Sequence, residues 1–297
     1  MLKGFKTAAR RAPRTHDAAA SPAGISRGED IGRRMAGQAE ELRAAIDDQQ
    51  LLLHYMPLAS ARDGRLCGFE ALVRWCHPTR GLVPPLDFIP LAEDSGLIGP
   101  LGEWVLRRAC ADAAHWPDPV RVAVNLSPRQ VHHTALPALV CEVLAVTGLP
   151  PERLELEITE TALFEDVARA LENLRALKAR GVRIAMDDFG TGFSSLATLQ
   201  SFPFDTLKID KSFVQAIHAD DRATAIVRAV LGLGASLRMP VVAEGVETDQ
   251  QLSFLRAEGC AEVQGFGIGR PVPLEALAAM IGGADLGVAA AARLKVA

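Results

Sequence analysis

The chain has 297 residues, with 32 Lys and Arg against 36 Asp and Glu, a net charge of −4 and an apolar share of 49 %. That length suits one large domain or two ordinary ones, and the apolar share is enough to bury a sizeable core of Leu, Val, Ile and Ala. The charge balance argues against a broad surface for a nucleic-acid polymer. Five scattered cysteines (Cys67, Cys76, Cys110, Cys141, Cys260), none in a Cys-x-x-Cys pair, argue against a disulfide framework or a zinc site and point to a reducing compartment.

Residues 1–35 carry Lys3, Lys6, Arg10, Arg11 and Arg14 in Ala-, Ser- and Pro-rich text without the apolar block of a secretion signal, and read as a flexible basic leader. Residues 36–283 are regular and read as one barrel domain, and residues 284–297 as an Ala-rich tail. The leader is too short to supply a sensory domain. No apolar run approaches the ~20 residues that span a bilayer, so a cytoplasmic protein without membrane insertion is expected.

In chain order, eight segments read as strands: "LLLHYMP" from Leu51, "LCGFEALVR" from Leu66, "RVAVNLS" from Arg121, "LELEITE" from Leu154, "VRIAMDD" from Val182, "TLKID" from Thr206, "PVVAEGV" from Pro240 and "EVQGF" from Glu262. Amphipathic helices are predicted over Leu101–Trp116, Leu136–Thr147, Asp166–Arg180, Arg222–Leu237 and Thr248–Glu258. The first two strands are joined only by "LASARDGR", whose Asp63-Gly64 signals a turn. That link is too short for a crossover helix, so this pair is predicted antiparallel. Eight strands with intervening helices over about 250 residues is the size of a TIM barrel. An open doubly wound sheet is the rival, but it normally carries a Gly-rich phosphate loop after its first strand, and none is visible.

Barrel active sites sit at the C-terminal ends of the strands. Those ends carry Glu70, Asn125, Glu157, Asp187 and Asp188, Lys208, Glu244 and Gln264. Singly, each has a plain structural explanation: Asn125 can cap a helix starting in "SPRQ", Glu157 and Glu160 can lie exposed on an edge strand, and Lys208 can neutralise Asp210. As a set they cannot all be so explained, because carboxylates are rarely buried without a partner and one lysine does not neutralise five acids. Hard oxygen donors without His or Cys favour Mg²⁺ or Mn²⁺ over Zn²⁺, and the surplus of acids suggests two ions. Such a pair favours in-line displacement at phosphorus. Lys208 would fix the attacking water or a phosphate oxygen, and Glu244 would act as general base.

With "GFEALVRWCHPTRGLVPPLDFIPLAEDSGLI", "VAVNLS", "LELEITE", "DDFGTGFSSL", "LKIDKSFV", "VVAEGVET" and "VQGFGIGRP" in order from about Glu41 to Leu277, the chain resembles the EAL-domain family of bacterial cyclic di-GMP phosphodiesterases. The resemblance implies a modified TIM (β/α)8 barrel with its first strand antiparallel, and hydrolysis of cyclic di-GMP to linear pGpG. It implies Glu70, Asn125, Glu157 and Asp187 as ligands of a first metal, with Asp188 serving a second and Asp187 shared. It further implies Lys208 on the catalytic water, Glu244 as base, and Arg74 and Gln264 on substrate, with Leu72 and Asp210 also counted as substrate contacts. Glu160 and Glu247 take the positions of supporting glutamates, Glu160 holding the "DDFGTGFSS" loop that couples the site to a homodimer interface.

Two positions depart from the family pattern. Met56 stands where a glutamine is usual; a thioether packs against a base but does not pair with it as an amide does. Ile268 and Gly269 replace an aromatic and a Ser after Gln264, which predicts a looser loop. These departures motivate a competing reading, a non-catalytic cyclic di-GMP receptor that signals through a partner protein. Cleavage of another small phosphodiester on the same site is a third. The histidines, among them His77, His132 and His133, read as structural or surface residues. Trp75, Trp104 and Trp116 read as core, and Cys67 and Cys76 as packing.

Overall fold

The computed structural model describes residues 36–163, 166–190, 199 and 202–281. The leader 1–35 and the tail 284–297 lie outside the described residues. Among these residues ten strands are formed: β1 Leu51–Ser60, β2 Leu66–His77, β3 Gly81–Val83, β4 Arg121–Leu126, β5 Leu154–Thr159, β6 Arg183–Phe189, β7 Thr206–Ile209, β8 Val241–Ala243, β9 Glu262–Gln264 and β10 Val272–Pro273. Eight of them close a barrel in the order β1-β2-β4-β5-β6-β7-β8-β9, because β1 pairs with both β2 and β9. β1 is antiparallel to both neighbours, and every other pair in the ring is parallel. The antiparallel first pair expected from "LASARDGR" is formed, with Gly64 at a positive φ of 74° in the turn. All eight predicted strands are present. The two that sequence did not suggest, β3 and β10, are short edge strands beside β2 and β1.

The helices are α1 over residues 36–47, α2 Ile89–Ser95, α3 Ile98–Ala113, α4 Pro128–Val131, α5 Leu136–Thr147, α6 Val167–Lys178, α7 Lys211–Gln215, α8 Asp221–Leu237, α9 Asp249–Ala257 and α10 Leu277–Ile281. Side chains set their ends. Asp166 accepts from the Arg169 amide at 3.0 Å to start α6, Thr248 and Gln251 form a capping box on α9, and Gly148 closes α5 at φ 72°. The barrel strands and these helices share one core that includes Trp75, Tyr55, Phe69 and Trp116, with Tyr55 and Phe69 both edge-on to Trp116. Trp104 packs against that core from a partly exposed position. Cys76, read as packing, is instead exposed: it pairs with Leu82 of the edge strand β3, and alternation puts it on the less buried face of β2 with Leu72 and Arg74. No helix among the described residues is long and apolar enough to cross a membrane.

Alternation along the strands gives the barrel interior two polar layers with a thin apolar layer between them. At the N-terminal ends, Arg121 pairs with Glu262 and lies 3.7 Å from Glu155; Arg183 lies 3.0 Å from Glu155, and Thr206 donates to Glu155 at 2.9 Å. Two guanidiniums face two carboxylates, so this layer is charge-balanced and structural. The layer at the C-terminal ends is not balanced.

Candidate active site

The sequence poses a geometric problem at Asp187-Asp188, since neighbours on a regular strand point to opposite faces. The structure solves it with a break in the ladder. The register between β6 and β7 slips between Met186 and Phe189, and Asp188 takes a left-handed φ of 53°. Such a bulge re-aims a side chain, and Asp is among the residues that tolerate this conformation. The Asp188 amide then donates to Asp187 Oδ1 at 2.9 Å. One carboxylate oxygen from each of Asp187, Asp188 and Glu244 lies within 4.8 Å of the others.

Lys208 stands in the middle of the crown, 2 % exposed, on β7. Its Nζ lies 2.6 Å from Glu244 Oε1, 2.8 Å from Glu157 Oε2 and 3.3 Å from Asp187 Oδ1. Across the barrel, Glu70 accepts from Asn125 Nδ2 at 2.7 Å and from Gln264 Nε2 at 2.5 Å. Asn125 therefore does not cap the following helix; Ser127 does, with Gln130 completing a capping box. β2 alternation places Leu72 and Arg74 on the face of Glu70, and β1 sets Met56 directly opposite Glu70 and His54 opposite Leu72. Arg74 Nη1 donates to its neighbour's carbonyl, Val73 O, at 2.9 Å.

Of the remaining predicted residues, Asp210 caps α7 by accepting from the Ser212 amide at 3.0 Å, and its carboxylate helps to raise the pKa of Asp188. Glu247 is exposed and accepts from Gln215 Nε2 at 3.0 Å. Glu160 is buried at the start of the turn Glu160–Leu163; the loop expected to lean on it continues past Gly190 and lies outside the described residues. The loop after Gln264 is not loose, and that expectation is corrected. Gly267 N donates to Val246 O at 2.8 Å, Val246 N to Gln264 O at 3.0 Å, and Ile268 is buried. A Cβ on Gly265 would fall 2.2 Å from Val246 backbone, and one on Gly269 2.5 Å from Pro57, so glycine is what lets this loop close. Sequence reasoning also missed His54, whose pKa burial and the nearby Arg74 push down, on the wall beside that arginine. His77, by contrast, does shape its turn: Nδ1 accepts from the Thr79 and Arg80 amides.

The electrostatics follow from the imbalance. Burial raises the Glu244 carboxyl to about 8 and Glu157 well above its ordinary range, Lys208 opposing and the surrounding acids adding to the rise. Asp188 is pushed up to about 6, first by burial and then by Asp187 and Asp210. Burial acts to lower the Lys208 pKa, but the carboxylates of Asp187, Glu157, Glu244 and Glu70 outweigh it and the net direction is upward. Glu157 Oε2 is buried, touches the ammonium only as an ion pair, and has no hydrogen bond among the described residues. An all-oxygen donor set in which one buried cation serves several acids fits a hard divalent ion such as Mg²⁺ or Mn²⁺.

A pH dependence with a definite sign follows. Acids whose folded pKa is raised hold protons that the unfolded chain has released, so the metal-free protein loses stability as pH rises through the raised values. A divalent ion takes only the deprotonated carboxylates. The melting-temperature gain from Mn²⁺ over chelator should therefore grow between about pH 5 and about pH 8, the window bounded by the acids' ordinary values and by Glu244. Thermal melts across that range, with Mn²⁺ and with chelator, check this; a gain independent of pH would refute it.

A closed eight-stranded α/β barrel with one antiparallel strand is a modified TIM barrel, and its acids gather at the C-terminal rim where barrels of this class carry their sites. The chain belongs to the EAL domain family, whose model matches residues 39–271. It is 70 % identical over 249 residues to an uncharacterized signaling protein of Caulobacter vibrioides, covering 84 % of this chain and 31 % of that protein. It is 47 % identical over 244 residues to the cyclic di-GMP phosphodiesterase NbdA of Pseudomonas aeruginosa, covering 80 % and 31 % respectively. This chain thus spans about a third of the length of these curated relatives. Among solved structures it is similar to the PaMucR phosphodiesterase in complex with c-di-GMP, at 45 % identity and TM-score 0.78, over 81 % of this chain and 99 % of that one.

Proposed function

We propose that this chain hydrolyses cyclic di-GMP to linear pGpG by in-line attack at phosphorus, with two Mg²⁺ or Mn²⁺ ions held by Glu70, Asn125, Glu157, Asp187 and Asp188. The observation that carries the reading is the unbalanced crown, in which Lys208 is the one cation among the described residues that faces Glu157, Asp187 and Glu244 within 3.3 Å. Relatives named as cyclic di-GMP phosphodiesterases supply the substrate. When bound, the ions supply positive charge beside the scissile phosphodiester and make a water acidic enough to attack near neutral pH.

The protein's own groups do the rest. Lys208 orients the attacking water, and Glu244, whose Oε1 lies 2.6 Å from the Lys208 Nζ, accepts the proton released in attack. Arg74 offers a guanidinium to a substrate phosphate oxygen. Gln264, with Leu72 and Asp210, contacts the nucleotide, while Met56 and His54 line the wall opposite Glu70 and Leu72. Glu247 and Glu160 support the surrounding loops. A homodimer, a cytoplasmic setting and a signalling partner belong to the same reading.

The test is incubation of the purified chain with cyclic di-GMP and either metal, resolving products chromatographically, beside pGpG and an aryl phosphodiester as alternative substrates. Selective formation of pGpG that chelator abolishes is expected. Tight nucleotide binding with no product in Mn²⁺ would replace catalysis with the receptor reading. Cleavage untouched by chelator would refute the metal assignment.

A further inference from the structure

We infer that the short helix α7 is the spacer that sets the separation of Asp187, Asp188 and Glu244, and that Phe213 is its positioning residue. The inference rests on the metal reading above and concerns which part of the fold holds those three carboxylates together. α7 starts just after Lys208 on β7 and lies between the turn that carries Asp187 and Asp188 and the turn that carries Glu244.

On one flank, the Phe213 ring packs on the backbone of Gly190. A Cβ built there would lie 3.0 Å from Phe213 Cε2, and Gly190 has a φ of 100°. Two residues upstream is Asp188, itself left-handed at φ 53° in the slipped register. On the other flank, a Cβ on Gly245, the residue after Glu244, would lie 2.5 Å from Lys211 Cβ, and Gln215 holds Glu247 at 3.0 Å. α7 thus bears on both acid-bearing turns through glycine backbone, where no side chain intervenes to absorb a displacement. Interiors packed this closely transmit shifts rather than damp them. A left-handed Asp persists only when its surroundings over-determine it, and Phe213 against Gly190 is one such constraint. The ring carries no hydrogen-bonding or charged group, so its action on the three acids is on where they stand.

The experiment counts Mn²⁺ bound to the nucleotide-free chain by electron paramagnetic resonance, then measures kcat and KM for cyclic di-GMP. Phe213→Ala, Phe213→Leu and Gly190→Ala are compared with wild type. Phe88→Leu, which trims a buried ring stacked edge-on to Trp75, is the packing control. Wild type should bind two Mn²⁺. Phe213→Ala should weaken one Mn²⁺ step about 10–100-fold and leave the other, the scale of losing support behind a metal ligand. Its kcat should fall in proportion with KM little changed. Phe213→Leu should recover part of both effects, and Phe88→Leu should alter neither Mn²⁺ step. If Phe213→Ala does not fold, Gly190→Ala, which pushes on the same ring from the other side, must show the selective loss. A folded Phe213→Ala or Gly190→Ala with both Mn²⁺ steps intact would overturn the spacer role alone. A wild type that binds no Mn²⁺ would overturn the metal reading and the spacer with it.

Discussion

Asp187→Asn should cut cyclic di-GMP turnover at least about 10³-fold while leaving the metal-free protein as stable as wild type or more so. The first half follows from charge. Asp187 sits among Asp188, Glu244 and Lys208, where the proposed ions would share its carboxylate, and an amide offers one neutral oxygen in its place. Loss of several kcal/mol of charge stabilisation at a metal site is worth that factor, at about 1.4 kcal/mol per tenfold. The second half follows from repulsion. Asp187 raises the pKa of Glu157, Asp188 and Glu244, so neutralising it relieves repulsion among the acids of the metal-free protein. Functional sites often hold such opposed demands. Turnover assays beside melts in chelator check both halves. Retained turnover, or a variant that melts well below wild type in chelator, would count against the assignment.

Lys208→Met has the opposite stability effect. Its ammonium is fully enclosed and is the one cation in ion-pair contact with Glu157 and Glu244 among the described residues. Removing one partner of a buried ionic cluster costs about 3–5 kcal/mol, because the remaining charges are left uncompensated. The acids can escape that cost by taking up protons, so the loss should be larger at about pH 8 than at about pH 5. Mn²⁺ should restore part of it by supplying the missing positive charge, while turnover stays low because the water-orienting group is gone. Urea unfolding at both pH values, with and without Mn²⁺, reads the effect. A midpoint equal to wild type in chelator at the higher pH would show that Lys208 does not hold the crown together.

Much of this was legible in the amino-acid text. Hydrophobic runs and turn residues located all eight barrel strands and the main helices, because strand and helix periods are local properties of the chain. The short link at Asp63-Gly64 fixed the antiparallel first pair. The acids at the strand ends were visible as a set, since each interrupts or closes an apolar run. The balanced network of Arg121, Glu155, Arg183 and Glu262 was not seen, although its residues stand at strand starts in the same way. Nothing local distinguishes a glutamate that meets two arginines across a barrel from one that meets only other acids.

The sequence by itself therefore determined the elements, the barrel and the roster of acids, because those depend on residue type and spacing. Tertiary structure decided which acids go unneutralised, how Asp187 and Asp188 come to face the same way, and that the glycine-rich loop after Gln264 is tightly closed. Each of these depends on strand register and on contacts between residues far apart in the chain. A one-residue slip at Met186–Phe189 and a left-handed Asp188 leave no mark in composition, yet they turn two diverging carboxylates into neighbours.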